Sequence, residues 1–475
     1  MTQLEELRAL KEEFSFDPTQ DQVTAMQHLA AFGISEKPNP LYLLMGYAGT
    51  GKTSLMSAFT SRLRKKSVRF VLMAPTGRAA KVLSQYTGYQ AYTIHRRIYM
   101  TVMTADGRRK MTLSPNRMEN TVFIVDEASM ISDNSLEYGG FEGQGLLDDL
   151  INFVFSMPGN KLLFVGDTAQ LPPVHLNISP ALDVEYLKSA YSLTAFAFEM
   201  KDVMRQAQDS GILLSATRLR YKIGMGDFSF PFFMMRDFMS DVEVVTDYYR
   251  LEELFQLAFS GYRQSNSIVV TRSNKSANHF NKQIRNNIQQ REAVLEAGDQ
   301  IMIVKNNYFW LDSNSKAGFI ANGDLVEIVR LTGEEELYGF HFADAEIRLI
   351  DYPEEKEMSV KLLLDTLDAN SPSLTEEEQR NLFDAVEQDY QSIPNRKKRI
   401  AAMQKDPYFN ALQIKYAYAM TCHKTQGGQW PNVFIDQGYV NADQLDVEYL
   451  RWLYTAFTRA TEKVYLLGFQ EMFFE

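Results

Sequence analysis

Gly46-Tyr-Ala-Gly-Thr-Gly-Lys52-Thr53 is the stretch around which the rest of the chain takes its meaning. Gly46, Gly51, Lys52 and Thr53 fit the phosphate-loop spacing G-x-x-x-x-G-K-[ST]. The run before it, Leu41 to Met45, is short and apolar, as in a buried strand. The run after it, Ser54 to Leu63, has helical character. Glycines let backbone N–H groups converge on phosphate oxygens at a helix N-terminus, where the dipole favours anions. Lys52 is then placed for the β- and γ-phosphates of a nucleotide and the Thr53 hydroxyl for Mg²⁺. A plain flexible glycine loop would need neither the strand before it nor the helix after it.

Outward from that loop, apolar runs at Phe70–Met73, Val122–Val125 and Leu162–Val165 alternate with helical stretches. Alternation of this kind predicts a parallel sheet with its ligands at the strand C-termini. Leu4, Leu7, Leu10 and Phe14 recur at near-helical spacing and predict a docking helix without chemistry of its own. A second α/β region shows Ser267–Val270 and a last strand at Val464–Leu467. Between them, Ile301–Val304, Leu325–Ile328 and the Asn322-Gly323 turn signal predict a β-rich insertion. The expected division is 1–190 for the first domain, with a hairpin insertion at 97–117. The second domain is expected at 191–291 and 406–475, with the insertion at 292–405. No internal repeat stands out.

The chain has 475 residues, 45% hydrophobic and 23% charged, as in ordinary globular proteins. Its one cysteine, Cys422, excludes an intrachain disulfide and suits a reducing cytosol. No signal peptide, accessory N-terminal domain or membrane span is expected, and the reading is cytoplasmic. The net charge of −11 argues against a polyanionic partner only until its distribution is considered. Residues 341–390 hold 14 acidic and 4 basic residues, which leaves the rest of the chain near −1. Local field, not total charge, governs phosphate binding. The acidic stretch itself reads as a solvated accessory element.

Thr121–Val125 followed by Asp126-Glu127 reads as a buried strand tipped by two carboxylates. Alone, such acids are solvated caps. Beside a phosphate loop, one suits Mg²⁺ binding and the other can orient or deprotonate an attacking water. Leu162–Val165 likewise runs into a polar tip in which Gln170 could sense a γ-phosphate. Arg205 and Arg459 stand alone in helical segments, as structural salt bridges or as the cations that a phosphoryl-transfer site requires.

In order, the segments are Pro18–Gln22, Gly46–Thr53, Ala74-Pro-Thr-Gly-Arg-Ala-Ala-Lys81, Thr93-Ile-His-Arg96 and Asp126-Glu-Ala-Ser-Met130. Gly166–Val174, Met204-Arg-Gln206, Tyr418–Gly427 and Leu453-Tyr-Thr-Ala-Phe-Thr-Arg-Ala460 follow. This set resembles superfamily 1B helicases of the RecD-like and phage Dda-like type. The resemblance implies an α/β fold of two RecA-like P-loop NTPase domains. It adds a β-hairpin inserted in the first domain and an SH3-like β insertion in the second. It implies ATP and Mg²⁺ as cofactors. Gln22 would read adenine, and Gly46, Ala48, Gly49, Thr50, Gly51, Lys52, Thr53 and Ser54 would hold the nucleotide. Thr53 and Asp126 would serve the metal. Lys52, Asp126, Glu127, Gln170, Arg205 and Arg459 would act in hydrolysis.

The resemblance also places single-stranded DNA near Pro75, Thr76, Arg78, His95, His423, Lys424 and Thr425. His95 reads equally well as a satisfied structural histidine. Tyr308, Phe309 and Trp310 could stack bases, although packing in a small β core is the better reading. Residues 98–114 place Asp106-Gly107 between two β-prone arms, the strongest short-range hairpin signal. By resemblance this hairpin separates strands at single-strand/duplex junctions. The expected protein is a monomeric ATP-dependent helicase moving 5′ to 3′ on single-stranded DNA, with replication or repair proteins as partners. A motor subunit of a RecBCD-like nuclease complex, an RNA-directed helicase and a nucleotide-dependent switch stay open.

Overall fold

The computed structural model describes residues 2–103, 109–133, 145–174, 176–203, 210–261, 266–311, 315, 319–352, 354–440 and 445–475. Apolar runs buried on both faces build two separate all-parallel sheets, as expected where helices cover both sides. The first takes β1 (Pro40–Gly46), β2 (Arg69–Ala74), β3 (Ala91–Thr93), β6 (Thr121–Val125), β7 (Lys161–Gly166) and β8 (Thr194–Met200) in the order β3-β2-β6-β7-β1-β8. Between β3 and β6 the chain makes an antiparallel pair, β4 (Tyr99–Met103) and β5 (Arg109–Leu113). The expected turn at Asp106-Gly107 lies outside the described residues.

The second sheet takes β9 (Val242–Val245), β10 (Ser267–Thr271), β16 (Ala419–Thr421), β17 (Trp430–Asp436) and β18 (Ala460–Leu467) in the order β16-β10-β17-β18-β9. Between β10 and β16 lies a closed barrel of β11 (Gln300–Ile303), β12 (Leu325–Leu337), β13 (Phe340–Leu349), β14 (Met358–Leu363) and β15 (Leu412–Tyr416). All its pairings are antiparallel except β14 with β15.

Two boundaries and one further expectation differ from the sequence reading. The first sheet reaches past residue 190, because β8 pairs with β1 along its whole length. The barrel reaches past residue 405, because β15 closes it. The acidic stretch 341–390 is not an appendage, since it supplies most of β13 and all of β14.

The N-terminal helix Gln3–Glu13 docks on the helix that follows the phosphate loop, Lys52–Lys65. Leu10 and Phe14 enter the core of the first sheet, and the buried Glu6 pairs with Arg62 at 3.1 Å. The barrel is tied to the second sheet by a buried hub. Asp299, with no exposed surface, accepts from Arg285 Nε at 3.0 Å and Nη2 at 2.9 Å, from Tyr418 Oη at 3.0 Å and from Arg291. Only Ala417 and Tyr418 separate β15 from β16. Tyr308, Phe309 and Trp310 are half-buried in the insertion. The indole N–H of Trp310 donates to the Asn410 carbonyl at 2.8 Å, and its ring packs on the barrel core.

Candidate active site between the two sheets

The phosphate loop leaves β1 at its C-terminal end, in the middle of the first sheet. Gly49 (φ +77°) and Gly51 (φ +87°) sit in the left-handed region, where a side chain is strained. A Cβ at Gly46 would lie 2.8 Å from Thr50 Oγ1 and 3.2 Å from Met200 Cβ, so the loop needs glycine there for space. No side chain caps the N-terminus of the helix Lys52–Lys65, which Gly51 opens. Lys52 Nζ donates to the carbonyls of Gly46 at 2.5 Å and Tyr47 at 3.0 Å, and lies along the loop it would share with a phosphate. Thr53 and Ser54 occupy the first turn, half-buried.

Gln22 is buried and both ends of its amide are engaged. Its oxygen accepts from the Thr19 N–H at 2.9 Å in a capping box, and its nitrogen donates to the Thr50 carbonyl at 2.9 Å. It therefore braces the phosphate loop from behind, and any contact with a base would use the remaining capacity of those two atoms.

The strand-tip carboxylates sit beside Lys52. Asp126 is fully buried, and burial pushes its carboxyl well above the usual range; the adjacent Glu127 charge adds to this, while the Glu127 N–H bond and Lys52 oppose it. Glu127 is held at φ +54°, ψ +38°, a region that costs a non-glycine residue about 1 kcal/mol or more and that collects at functional sites. A buried carboxylate and a threonine hydroxyl are hard oxygen donors suited to Mg²⁺, which takes one or two carboxylates and completes its shell with water and phosphate. Among the described residues no cluster of three or more His, Cys, Asp or Glu side chains could hold a metal unaided.

The loop after β7 brings Asp167 and Gln170 to the same cleft, and here the second domain enters. Tyr454 Oη, from the helix Val447–Phe457, accepts from the Ala48 N–H at 2.8 Å and donates to Asp167 Oδ2 at 2.6 Å. One buried hydroxyl thus spans the phosphate loop, the β7 loop and the second domain. The Leu171 N–H donates to Thr455 Oγ1 at 2.9 Å, and Gln426 Nε2 donates to the Leu171 carbonyl at 2.7 Å. Gln170 Oε1 is buried with no hydrogen-bond partner, an orphaned acceptor at the cleft.

Arg459 is buried, with its guanidinium on the carbonyls of Thr455 and Gly428. Burial pushes the Asp167 carboxyl up, and Lys52, the Tyr454 hydroxyl and Arg459 are among the groups that oppose it. Arg205 lies outside the described residues. Tyr454, Thr455 and Arg220 carry no role in the sequence reading. Arg220 stacks 4.4 Å from the centroid of the Tyr47 ring in the phosphate loop. The Tyr454 and Thr455 positions fall inside a motif quoted above, yet nothing in their spacing reveals a partner more than 280 residues away.

The second group of sequence-selected residues lies just past the C-terminal ends of β2 and β3 in the first sheet and of β16 in the second. Thr76 caps the helix Gly77–Thr87, with Pro75 just before it. Arg78 reaches the second domain, 3.8 Å from the Trp430 ring centroid and 3.1 Å from the Gln429 carbonyl. His95 is buried by Tyr99 and by Phe319 of the insertion, and burial lowers its imidazole to about 4, so it is neutral at pH 7. Burial also lowers His423. The Thr425 hydroxyl is spent on the Cys422 carbonyl at 2.7 Å. Lys424 Nζ is buried with no hydrogen-bond partner, and burial with nearby Lys415 pushes it down to about 8.

Residues 19–221 match the family model of the AAA domain, and 416–467 that of the UvrD-like helicase C-terminal domain. The first covers the phosphate loop, Asp126-Glu127 and Gln170; the second covers His423, Tyr454 and Arg459. These two matches, together with the relatives, support a helicase of superfamily 1B. The chain is similar to the ATP-dependent RecD2 DNA helicase of Deinococcus radiodurans, 33% identical over 37% of this chain and 21% of that one. It thus spans about a fifth of that relative's length. It is 22% identical to protein R530 of Acanthamoeba polyphaga mimivirus over 95% of this chain and 99% of that one. A solved Pif1 helicase from Bacteroides, in complex with ADP-AlF3 and single-stranded DNA, aligns over 96% and 94% of the two chains at 16% identity and TM-score 0.47. No helix among the described residues is long and apolar enough to cross a membrane.

Proposed function

We propose that this protein is an ATP-dependent DNA helicase that translocates 5′ to 3′ on single-stranded DNA and unwinds duplex DNA ahead of it. The observation that carries this reading is the shared cleft. Ala48 of the phosphate loop and Asp167 share the Tyr454 hydroxyl of the second domain, Leu171 is bonded to Thr455 and Gln426, and Arg459 is close enough to act on the Asp167 carboxyl. A nucleotide switch needs no second-domain cation or hydroxyl at the phosphate loop, whereas a motor must make domain closure depend on the nucleotide.

In this reading the loop residues hold the phosphates and Thr53 and Asp126 the Mg²⁺, which supplies charge neutralisation on the phosphoryl oxygens. Glu127 orients and deprotonates the attacking water. Gln170 senses the γ-phosphate by donating from its amide Nε2 to a phosphate oxygen, and Arg459, with Arg205, supplies positive charge from across the cleft. Gln22 supports the loop on the adenine side.

The strand lies across the edges holding Pro75, Thr76, Arg78, His95, His423, Lys424 and Thr425, and the unpartnered Lys424 ammonium is its first phosphate ligand. The β4–β5 hairpin is the wedge. The two sheets act as RecA-like domains and the barrel as the SH3-like insertion of such motors. The protein acts as a monomer in the cytoplasm, at junctions where replication or repair proteins also work.

The test is ATPase rate with and without single-stranded DNA, then unwinding of duplexes carrying a 5′ or a 3′ tail. Stimulation by DNA and unwinding of 5′-tailed substrates are expected. Stronger stimulation by RNA would favour an RNA-directed enzyme, and unwinding of 3′-tailed substrates alone would reverse the direction. Replacing 100–111 with a Gly-Ser linker should leave DNA-stimulated ATPase and remove unwinding; undiminished unwinding would place the wedge elsewhere.

A further inference from the structure

The first sheet has a second open end. Its strands are parallel, so the phosphate loop and the carboxylates share their C-terminal ends. The N-terminal ends of β2, β3 and β6 open on the opposite side onto a cavity of about 700 Å³. Arg64, Arg69 and Arg97 line it with Tyr89, Tyr92 and Gln90, and no carboxylate lines it. Among the described residues none of the three arginines makes an ion pair. In a chain of net charge −11, three cations around one hollow without an acid partner are an unbalanced local field.

Arg97 is the anchor. Its Nη2 donates to Met118 Sδ at 2.7 Å, while its Nε is buried with no hydrogen-bond partner. The guanidiniums of Arg97 and Arg96 lie 5.8 and 5.2 Å from the centroid of the Tyr92 ring. Arg97 belongs to the helix Ile94–Ile98, which runs directly into β4, and Met118 follows β5. The cavity therefore sits at the root of the hairpin.

We propose that this cavity binds the strand that the hairpin displaces, taking one or two nucleotides with their phosphates on Arg64, Arg69 and Arg97 and a base on Tyr89 or Tyr92. Guanidinium groups suit phosphate oxygens, and tyrosine faces stack on any base without reading sequence. A volume of this size holds a nucleotide-sized ligand. A second grip outside the motor track would hold the displaced strand away from its complement. The inference rests on the helicase reading and deepens it.

The test is fluorescence anisotropy on two forked duplexes that share a 5′ loading tail and differ only in whether the displaced strand has a single-stranded tail. Wild-type protein should bind the two-tailed fork about tenfold more tightly, as one stacked base and its phosphates provide. Arg64→Ala/Arg69→Ala removes two exposed cations that support no core contact, and far-UV circular dichroism checks the fold. This variant should lose the tenfold increment and keep its affinity for plain single-stranded DNA. Equal affinity of the wild type for the two forks would overturn the site. So would a variant that weakens on plain single-stranded DNA as much as on the two-tailed fork, or one that retains the increment. A wild type that binds no DNA would overturn the helicase reading and this inference with it.

Discussion

At one edge of the first sheet, Ala91-Tyr-Thr-Ile-His-Arg96 runs from a three-residue strand into a short helix. At the matching edge of the second, Ala419-Met-Thr-Cys-His-Lys424 does the same. Each edge strand lies parallel to a longer one, β3 on β2 and β16 on β10. Each longer strand passes two residues on into a hydroxyl cap: Thr76 for the helix Gly77–Thr87, Ser273 for Asn274–Gln283. The likeness stops at the other side of the sheets. Beyond β1 comes the glycine loop with Lys52. Beyond β9, Asp247 caps the helix Tyr248–Phe259 with its own carboxylate, which fills the place an anion would take. The two sheets thus share a scaffold and an edge built alike, whereas the phosphate loop is built on one of them alone. Function resides in the loops, as general fold arguments hold.

The largest effect should come from the side where the sheets differ. Lys52→Ala is expected to lower ATP turnover by about 10²–10³ or more, and Glu127→Gln to keep Mg-ATP binding while hydrolysis stalls. Asp247→Ala, at the matching point of the second sheet, should leave turnover intact and cost about 1 kcal/mol of stability. Steady-state ATPase with a nucleotide-binding assay checks all three, and normal hydrolysis by Glu127→Gln would remove that residue from the site.

Next comes the link between the sheets. Tyr454→Phe leaves the Ala48 N–H and Asp167 without their shared hydroxyl, at about 1–3 kcal/mol for each buried group. DNA-stimulated turnover should fall about 10- to 100-fold. A wild-type rate would mean that the two sheets communicate by another route.

A smaller effect concerns the barrel, which only the second sheet carries. Asp324 is buried, and burial pushes its carboxyl up to about 7. Its folded pKa lies above the unfolded value, so its contribution is intact below about pH 4 and is lost as pH rises through 7. Asp324→Asn should therefore stabilise the protein at pH 8 by on the order of 1–2 kcal/mol and change little at pH 4. Thermal melts at the two pH values decide it; equal shifts at both would rule out titration as the cause.

The smallest effects should be a matched pair. Thr76→Ala and Ser273→Ala each remove a helix cap, worth about 1 kcal/mol. If both edges grip the strand, the two should weaken single-stranded DNA binding alike. Weakening by one alone would show that the likeness between the edges is structural only.

Much of this was legible in the sequence because the central strands are continuous apolar runs and the phosphate loop is tied to fixed spacing. Less visible elements have physical reasons. β15 reads Leu-Gln-Ile-Lys-Tyr, and Gln413 and Lys415 interrupt its apolar pattern. Both are buried, Gln413 accepting from the Leu374 N–H at 3.0 Å and Lys415 donating to the Thr366 carbonyl at 2.9 Å. β8 lies at a sheet edge and is half-exposed along much of its length. The paired edges share only Ala, Thr and His at matching positions, too few to register as a repeat until the topology aligns them. Tyr454 is an unremarked letter inside a motif, and its partners come together only through folding.

The Asp299 hub has a mechanical consequence. A buried carboxylate clasped by Arg285, Arg291 and Tyr418 cannot be parted without stranding charge in a dry interior, which costs several kcal/mol. With two residues joining β15 to β16, the hub fastens the barrel to the second sheet. The same insertion touches the first domain at Lys81, 3.6 Å from Asp351 and 3.2 Å from the Ile350 carbonyl. Held fast to one domain and bonded to the other, it is a strut, and any change in the spacing of the two domains must first break the contact at Lys81.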